Sequence, residues 1–284
     1  MSETATMDNK KEDLGRPGLE ANMKNKPEII KDSYRGSEKL KGKIALITGG
    51  DSGIGRAVAV HFAKEGADVA IAYLSESEDA EKTKELVEKE GQKCLTVSGD
   101  LKDFDFCKDL VSQAINEYGR IDILVNNAAT QYAEKDFTNI TVDHLKETFE
   151  TNIIAMIYLT QQVFPHMKSG SRIINTTSVT GYKGHEMMVD YSSTKGAITS
   201  FTRALSAQLA SKNILVNGIA PGPIWTPLIP ATMDNIEDFG ESTPLGRCGQ
   251  PSEVAPAYVF LACEDSTYMT GQILHINGGV VVGG

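Results

Sequence analysis

From Lys43 onward the chain alternates between two hydrophobic rhythms. Short unbroken apolar runs suit strands buried on both faces, and longer stretches repeat apolar residues every three or four positions, as helices do. Ile44–Thr48 reads as the first strand. Ile54, Val58 and Phe62 follow at helical spacing and Gly66 stops that helix. Val69–Tyr73 is a second strand, Ala80–Glu90 a charged helix ended by Gly91, and Cys94–Val97 a third strand. Phe106, Leu110, Val111, Ala114 and Tyr118 mark a helix closed by Gly119, before a strand at Ile121–Asn126. Thr141 caps a long helix predicted to run to about Met167. Arg172–Thr176, a helix from Tyr191 to Ala210, and Ile214–Ile219 continue the alternation. Pro221–Leu245, with Pro221, Pro223, Pro227 and Pro230 ahead of Pro244, reads as a mobile loop holding a short helix. A helix opening at Pro251 ends near Ala262, and Gln272–Ile276 is the last strand. Strands alternating with helices predict an α/β fold, a doubly wound, mostly parallel seven-stranded sheet with helices on both faces.

Residues 1–40 lack either rhythm. They are polar and broken by Pro17, Gly18 and Pro27, and they predict an arm, flexible or docked on a surface, ahead of one domain at 41–284. Met23, Ile29 and Ile30 are its expected anchors. The arm carries eight acidic and eight basic side chains, so the net charge of −10 lies wholly in the rest of the chain. That balance argues against nucleic acid or an anionic membrane as the main partner. Cys94, Cys107, Cys248 and Cys263 form no C-x-x-C pair and read as free thiols of a reducing compartment. The polar start has no signal-peptide core, and no apolar run is long enough to span a bilayer, so a cytoplasmic protein is expected.

Two segments more than a hundred residues apart carry the chemistry. Thr48-Gly49-Gly50-Asp51-Ser52-Gly53-Ile54-Gly55 joins the first strand to the first helix. Gly49 permits a sharp turn, Gly53 leaves room for a pyrophosphate, and Gly55 lets helix and strand approach. The helix starting near Ile54 aims free N–H groups and its positive end at phosphate. The second segment, Tyr191-Ser192-Ser193-Thr194-Lys195, sets a phenol and an ammonium at i and i+4 on one helix face. Of nine tyrosines only Tyr191 has a lysine four positions on. A free phenol titrates near pH ~10, and a cation held close is expected to lower that value toward a useful acid–base range. Together the segments predict hydride transfer between a nicotinamide and a carbonyl or alcohol. His144 and His166 have no persuasive metal-ligand spacing, and no metal is assigned.

TGGDSGIG, Asn126-Asn127-Ala128-Ala129, Asn152, Ser178, YSSTK and PGPIWTP at 221–227, in this order, resemble the short-chain dehydrogenase/reductase family over residues 41–279. The arm is similar to that of a bacterial general-stress or glucose/ribitol-dehydrogenase-like subgroup. The family usually has glycine where this chain has Ala129, a mild change. The resemblance implies a Rossmann-type fold and a catalytic set of Asn152, Ser178, Tyr191 and Lys195. Tyr191 would be the acid or base. Lys195 would also hold the nicotinamide ribose, Ser178 would hydrogen-bond the substrate oxygen, and Asn152 would hold a relay water. Asn127, Ala128 and Ala129 would line the adenosine ribose. Asp100 and Leu101 would contact adenine, or Asp100 would cap a helix. Pro221, Gly222, Ile224 and Thr226 would wall the nicotinamide. Substrate would meet Ser178 and Tyr191; His185 and Glu186 touch it or lie in a solvated loop, and Trp225 covers the site or packs in a core or subunit contact.

At the end of the second strand, where the ribose 2′ position is read, stand Tyr73, Leu74 and Ser75, neither an aspartate nor an arginine. Glu76, Glu78 and Asp79 crowd this loop, Asp51 and Ser52 occupy the turn, and Arg56 sits one turn into the helix. The carboxylates favour NAD over NADP, with dual use open. Family resemblance and the apolar girth around Ile153, Ile154, Met156, Ile157 and Leu159 predict a homo-oligomer, a tetramer, paired through helices 142–167 and 192–210. The tail Val280-Val281-Val282 would lie near an interface. The expected function is NAD(P)-dependent oxidation or reduction of an aldehyde, ketone, sugar or polyol. The alternatives are a 3-oxoacyl-thioester reductase on the same core and a dinucleotide sensor without catalysis.

Overall fold

A computed structural model describes residues 14–233 and 236–282. The first thirteen residues of the expected arm, positions 234–235 of the proline-rich loop and the last two residues lie outside the described residues. Seven strands form one parallel sheet: β1 (Ile44–Thr48), β2 (Asp68–Tyr73), β3 (Cys94–Ser98), β4 (Ile123–Asn126), β5 (Arg172–Thr176), β6 (Leu215–Pro221) and β7 (Ile273–Ile276). Their spatial order is β3-β2-β1-β4-β5-β6-β7, with every pairing parallel. The order reverses between β1 and β4, and in such sheets the crevice beyond the strands' carboxyl ends at that point is where ligands bind.

All five residues of β1 are buried because both faces are covered. Ala45 and Ile47 point into the layer made with α1 (Gly53–Lys64) and α9 (Pro251–Ala262). Leu46 points the other way, into the layer made with α3 (Phe104–Tyr118), α5 (Ala155–Val163) and α7 (Val189–Leu209). This is the period-two alternation of a strand used on both sides. The charged segment of the sequence becomes α2 (Ser77–Lys89), whose buried side is only Asp79, Ala80, Thr83 and Val87.

The long helix expected from Thr141 to Met167 is not one regular helix. It is α4 (Val142–Phe149), a π-helical turn at Glu150–Ile154, and α5, which ends in a 3-10 turn at Phe164–His166. Wide turns of this kind concentrate at functional positions, and this one carries the buried Asn152. Apolar spacing continues through it, so periodicity alone had no means of marking it.

The described part of the arm is docked. Met23 is buried as expected and Ile29 packs against the α1–α9 layer. They are not the only anchors: Leu14 and Glu20 are buried as well. Leu14 and Met23 join Trp225, Ile229, Ile236 and Cys248 in a small separate core. Farther along, Glu65 at the end of α1 accepts hydrogen bonds from the Tyr34 hydroxyl and the Ser37 and Lys39 amides.

Candidate active site

A cavity of about 640 Å³ opens at the carboxyl ends of the strands, over the β1–β4 reversal. The glycine turn forms its floor. Gly49 and Gly53 have φ of +60° and +50°, in the left-handed region that favours glycine. A Cβ on Gly55 would stand 1.8 Å from the Gly49 carbonyl oxygen, so the start of α1 can cross the end of β1 only because that atom is absent. Asn127 braces the turn from β4: its side-chain amide donates to the Thr48 and Gly49 carbonyls at 3.1 Å. Asn126 holds the sheet itself, donating to Asn175 at 2.8 Å and Thr160 at 3.1 Å. Gly49, Asp51, Ser52, Gly53, Ile54, Asn127, Ala128 and Ala129 all line the cavity, whereas Gly55 lies behind it.

Ser178 follows β5 and precedes the short α6 (Thr180–Lys183), and Tyr191 and Lys195 lie in the first turns of α7; Ser178, Tyr191 and Lys195 line the same wall. The Ser178 hydroxyl accepts from the Thr180 amide at 3.2 Å and the Thr180 hydroxyl at 3.0 Å. It also hydrogen-bonds Tyr191, which holds the phenol's pKa down a little. Burial nevertheless dominates and pushes Tyr191 up to about 12. The Lys195 ammonium donates to the Thr176 carbonyl at 3.0 Å and stands 5.3 Å from the centre of the Tyr191 ring. Burial brings its pKa down to about 7. The expected depression of the phenol by the ammonium is therefore absent: desolvation favours the neutral form of both groups. Asn152 does not line the cavity. It clamps Thr130, accepting from its amide at 2.8 Å and donating to its carbonyl at 2.9 Å, and donates to the Thr194 hydroxyl at 3.2 Å.

At the far end of the cavity lie Tyr73, Leu74, Asp100 and Leu101. Asp100 does not cap α3. That role falls to Asp103, which accepts from the Asp105 amide, while Asp100 accepts from the Lys102 amide. The three acids expected to crowd this region part company. Glu76 lines the cavity beside Asp51, Glu78 is exposed on α2, and Asp79 turns away. Burial, then the nearby Glu76, pushes Asp51 up to about 7. Arg56 is unavailable to a ligand. It is buried in contact with Glu20 and Asp79, and it donates to the Asp51 carbonyl at 2.8 Å.

The remaining wall is the segment after β6. Pro221, Gly222, Ile224 and Thr226 line the cavity, followed by α8 (Leu228–Thr232). Trp225 does not cover the cavity. It is 1% exposed in the small core shared with the arm, and its indole N–H donates to the Asn25 carbonyl at 2.7 Å. His185 lines the cavity with its pKa lowered by burial and by Lys183; Glu186 is exposed and does not line it. Sequence reasoning missed Arg16, Pro17 and Gly18, which also line the cavity. The Arg16 guanidinium lies 4.4 Å from the centre of the Tyr132 ring, and a Cβ on Gly18 would meet Ala231 at 2.8 Å. The Pro17-Gly18 pair was the one available signal, a turn flanked by isolated apolar residues.

A nicotinamide dinucleotide fits this set of groups. The cradle has glycines where a Cβ would fill it, a helix amino terminus opens into it, and the volume is near the middle of the ~300–1,000 Å³ usual for ligand pockets.

Residues 49–281 match the family described as Enoyl-(Acyl carrier protein) reductase. An uncharacterized oxidoreductase of Bacillus subtilis is 56% identical, over 95% of this chain and 94% of its own. The NADPH-dependent aldehyde reductase 1 of Arabidopsis thaliana is 50% identical over 96% and 98%, and the glucose and ribitol dehydrogenase of Daucus carota 48% identical over 95% of each. Among solved structures, a short-chain dehydrogenase of Burkholderia cenocepacia in complex with NADP has a TM-score of 0.81 and 31% identity, covering 85% of this chain and 98% of its own. One from Mycobacterium paratuberculosis bound to NAD gives 0.78 and 27%, with the same coverage. With the glycine turn, the parallel sheet and the Tyr191–Lys195 wall in one crevice, the chain belongs to the short-chain dehydrogenase/reductase family of nicotinamide-dependent oxidoreductases.

Proposed function

We propose that this enzyme interconverts carbonyls and alcohols in small polar molecules, aldehydes, sugars and polyols among them, with Tyr191 as the proton donor and acceptor. The observation that carries the reading is the convergence of Ser178, Tyr191 and Lys195, all buried, on one wall of a cavity floored by the glycine turn. The bound nicotinamide supplies or takes the hydride. The protein's part is the proton and the charge on the substrate oxygen. The Tyr191 phenol keeps its proton at neutral pH, the state needed to protonate the oxygen of a carbonyl being reduced. Ser178 accepts both Thr180 hydrogen bonds, so its one proton is a donor shared between the Tyr191 oxygen and the substrate oxygen, where charge develops. Lys195 holds the cofactor ribose and reloads Tyr191. Asn152 acts through Thr130 and a relay water. The names of relatives that act on aldehydes, glucose and ribitol support the substrate class.

NAD is the favoured cofactor, because Asp51 and Glu76 line the end of the cavity beside β2. One relative is named as NADPH-dependent, and the two structural neighbours are in complex with NADP and bound to NAD. The working enzyme is a cytoplasmic homo-oligomer, a tetramer, with residues 1–40 as an arm on the 41–284 domain. Leu145 and Ile154, 43% and 45% exposed on the α4–α5 side, support pairing through that face. A panel of aldehydes, ketones, sugars, polyols and an acetoacetyl thioester, followed by nicotinamide absorbance, tests the reading. Turnover of the thioester alone would move the enzyme to the acyl reductases, and turnover of none would sink it.

A further inference from the structure

The first helix of a dinucleotide fold ordinarily leaves its leading N–H groups for phosphate. Here one of them is already taken. Ser52 stands at the N-cap of α1, and its side chain makes no capping hydrogen bond. The Gly53 amide instead donates to the Glu20 carboxylate at 2.8 Å, thirty-three positions back in the arm. The other oxygen of Glu20 meets the Arg56 guanidinium one turn into the same helix. Asp79, from the start of α2, completes the cluster. It accepts from the Glu20 and Ala21 amides at 2.6 and 3.0 Å and from Arg56 at 3.2 Å. Glu20, Arg56 and Asp79 are exposed by 2%, 5% and 1%.

We propose that Glu20 is a positioning residue of the cofactor site: an N-cap delivered by the arm that fixes the glycine turn in its phosphate-accepting form, so that arm docking and cofactor binding are thermodynamically coupled. Three observations bear this out. The contact is at the turn itself, since Gly53 both bonds Glu20 and lines the cavity. Gly53 has φ of +50° and needs external support, because glycine carries the largest backbone entropy to be lost. The arm also reaches the opposite wall. Leu14 and Met23 pack with Trp225 and Ile229, and Trp225 donates to the Asn25 carbonyl. One segment thus ties the floor beneath the phosphates to the wall beside the nicotinamide. The carboxylate takes the Gly53 amide with one oxygen and the Arg56 guanidinium, which it shares with Asp79, with the other.

The inference rests on the cofactor half of the proposed function and not on any substrate. Its test is NADH binding by the full-length chain, followed by nicotinamide fluorescence. Glu20→Ala is expected to weaken NADH about tenfold, within the ~5–150-fold span of ordinary coupling. Glu20→Gln keeps an acceptor for Gly53 and is expected to lose less, about threefold. The kcat of either at saturating cofactor stays within about twofold, because the Tyr191 wall is untouched. A folded Glu20→Ala that binds NADH like the wild type overturns the proposal. Should that variant not fold, the wild type decides by reciprocity. Saturating NADH must slow tryptic cleavage at Lys24 and Lys31 of the arm more than at Lys168 and Lys212, in exposed turns before β5 and β6. Equal slowing at both sets overturns the coupling, and absence of turnover with every carbonyl would leave this test intact.

Discussion

Two cations are buried beside one cavity, Arg56 on α1 and Lys195 on α7, and they are held in opposite ways. Arg56 meets Glu20 and Asp79 and spends its other protons on the Asp51 and Asp79 carbonyls and on Thr83. Lys195 is 1% exposed and has the Thr176 carbonyl, with no ion pair among the described residues. Its burial is uncompensated, and its pKa sits at about 7. The scaffold pairs opposite charges where it must hold a turn in shape. At the reacting wall it leaves charge unbalanced, so that protonation there responds to what binds.

Arg56→Met gives the largest expected effect. Removing the guanidinium strands two buried carboxylates, a change that costs about 3–5 kcal/mol. Urea unfolding should show that loss, and limited proteolysis a released arm. Lys195→Met removes a cation that has no counter-charge, so its stability should change by no more than about 1 kcal/mol while turnover collapses. Equal destabilisation by the two substitutions would erase the contrast. Tyr191→Phe sharpens it from the neighbouring side chain. The ring stays, the proton goes, and kcat should fall about a hundredfold or more, about 2.7 kcal/mol, with cofactor affinity little changed. Near-normal turnover would remove Tyr191 from its assigned role.

The same contrast explains what was legible in the sequence. The seven strands and the helices between them follow from period and from Gly66, Gly91 and Gly119, which are local signals; their spatial order does not. Tyr191 and Lys195 are legible because i and i+4 fix their shared face before anything folds. Glu20 was not legible. Its partners Gly53, Arg56 and Asp79 are thirty or more positions away, and an isolated glutamate in a polar segment looks like any solvated one. Asp79, expected to crowd the loop with Glu76 and Glu78, turns away for the same reason: a helix amino terminus presents acids to several sides, and the docked arm and Arg56 select the side. The π turn at Asn152 escaped because widening one turn leaves apolar spacing almost unchanged. The phenol's pKa was misjudged because spacing gives proximity and says nothing of desolvation, which here outweighs it.

The smallest expected effect concerns Asp51, a buried acid that belongs to neither pattern. It has no cation of its own, and burial with Glu76 nearby brings its pKa to about 7, against about 3.8 for an unperturbed aspartate. Between those values the folded chain holds a proton that the unfolded chain has lost. Asp51 therefore reduces stability as pH rises through that window, and its adverse effect is fully developed above pH ~7. The same titration acts on the cofactor. Below pH ~7 Asp51 is largely neutral and Glu76 alone opposes a 2′-phosphate; above it both carboxylates do. The NAD-to-NADP ratio of kcat/KM should then rise about three- to tenfold between pH 6 and 8, a shift of about 1 kcal/mol as expected for one more charge near a partly solvated phosphate. Asp51→Asn should flatten that rise and hold the ratio near its low-pH value. A ratio that stays level with pH in the wild type would mean the phosphate never approaches Asp51, and the preference for NAD would then rest on Glu76 or fail. A ratio favouring NADP throughout would mean that hydrogen bonds from Ser75 and the loop amides outweigh both carboxylates.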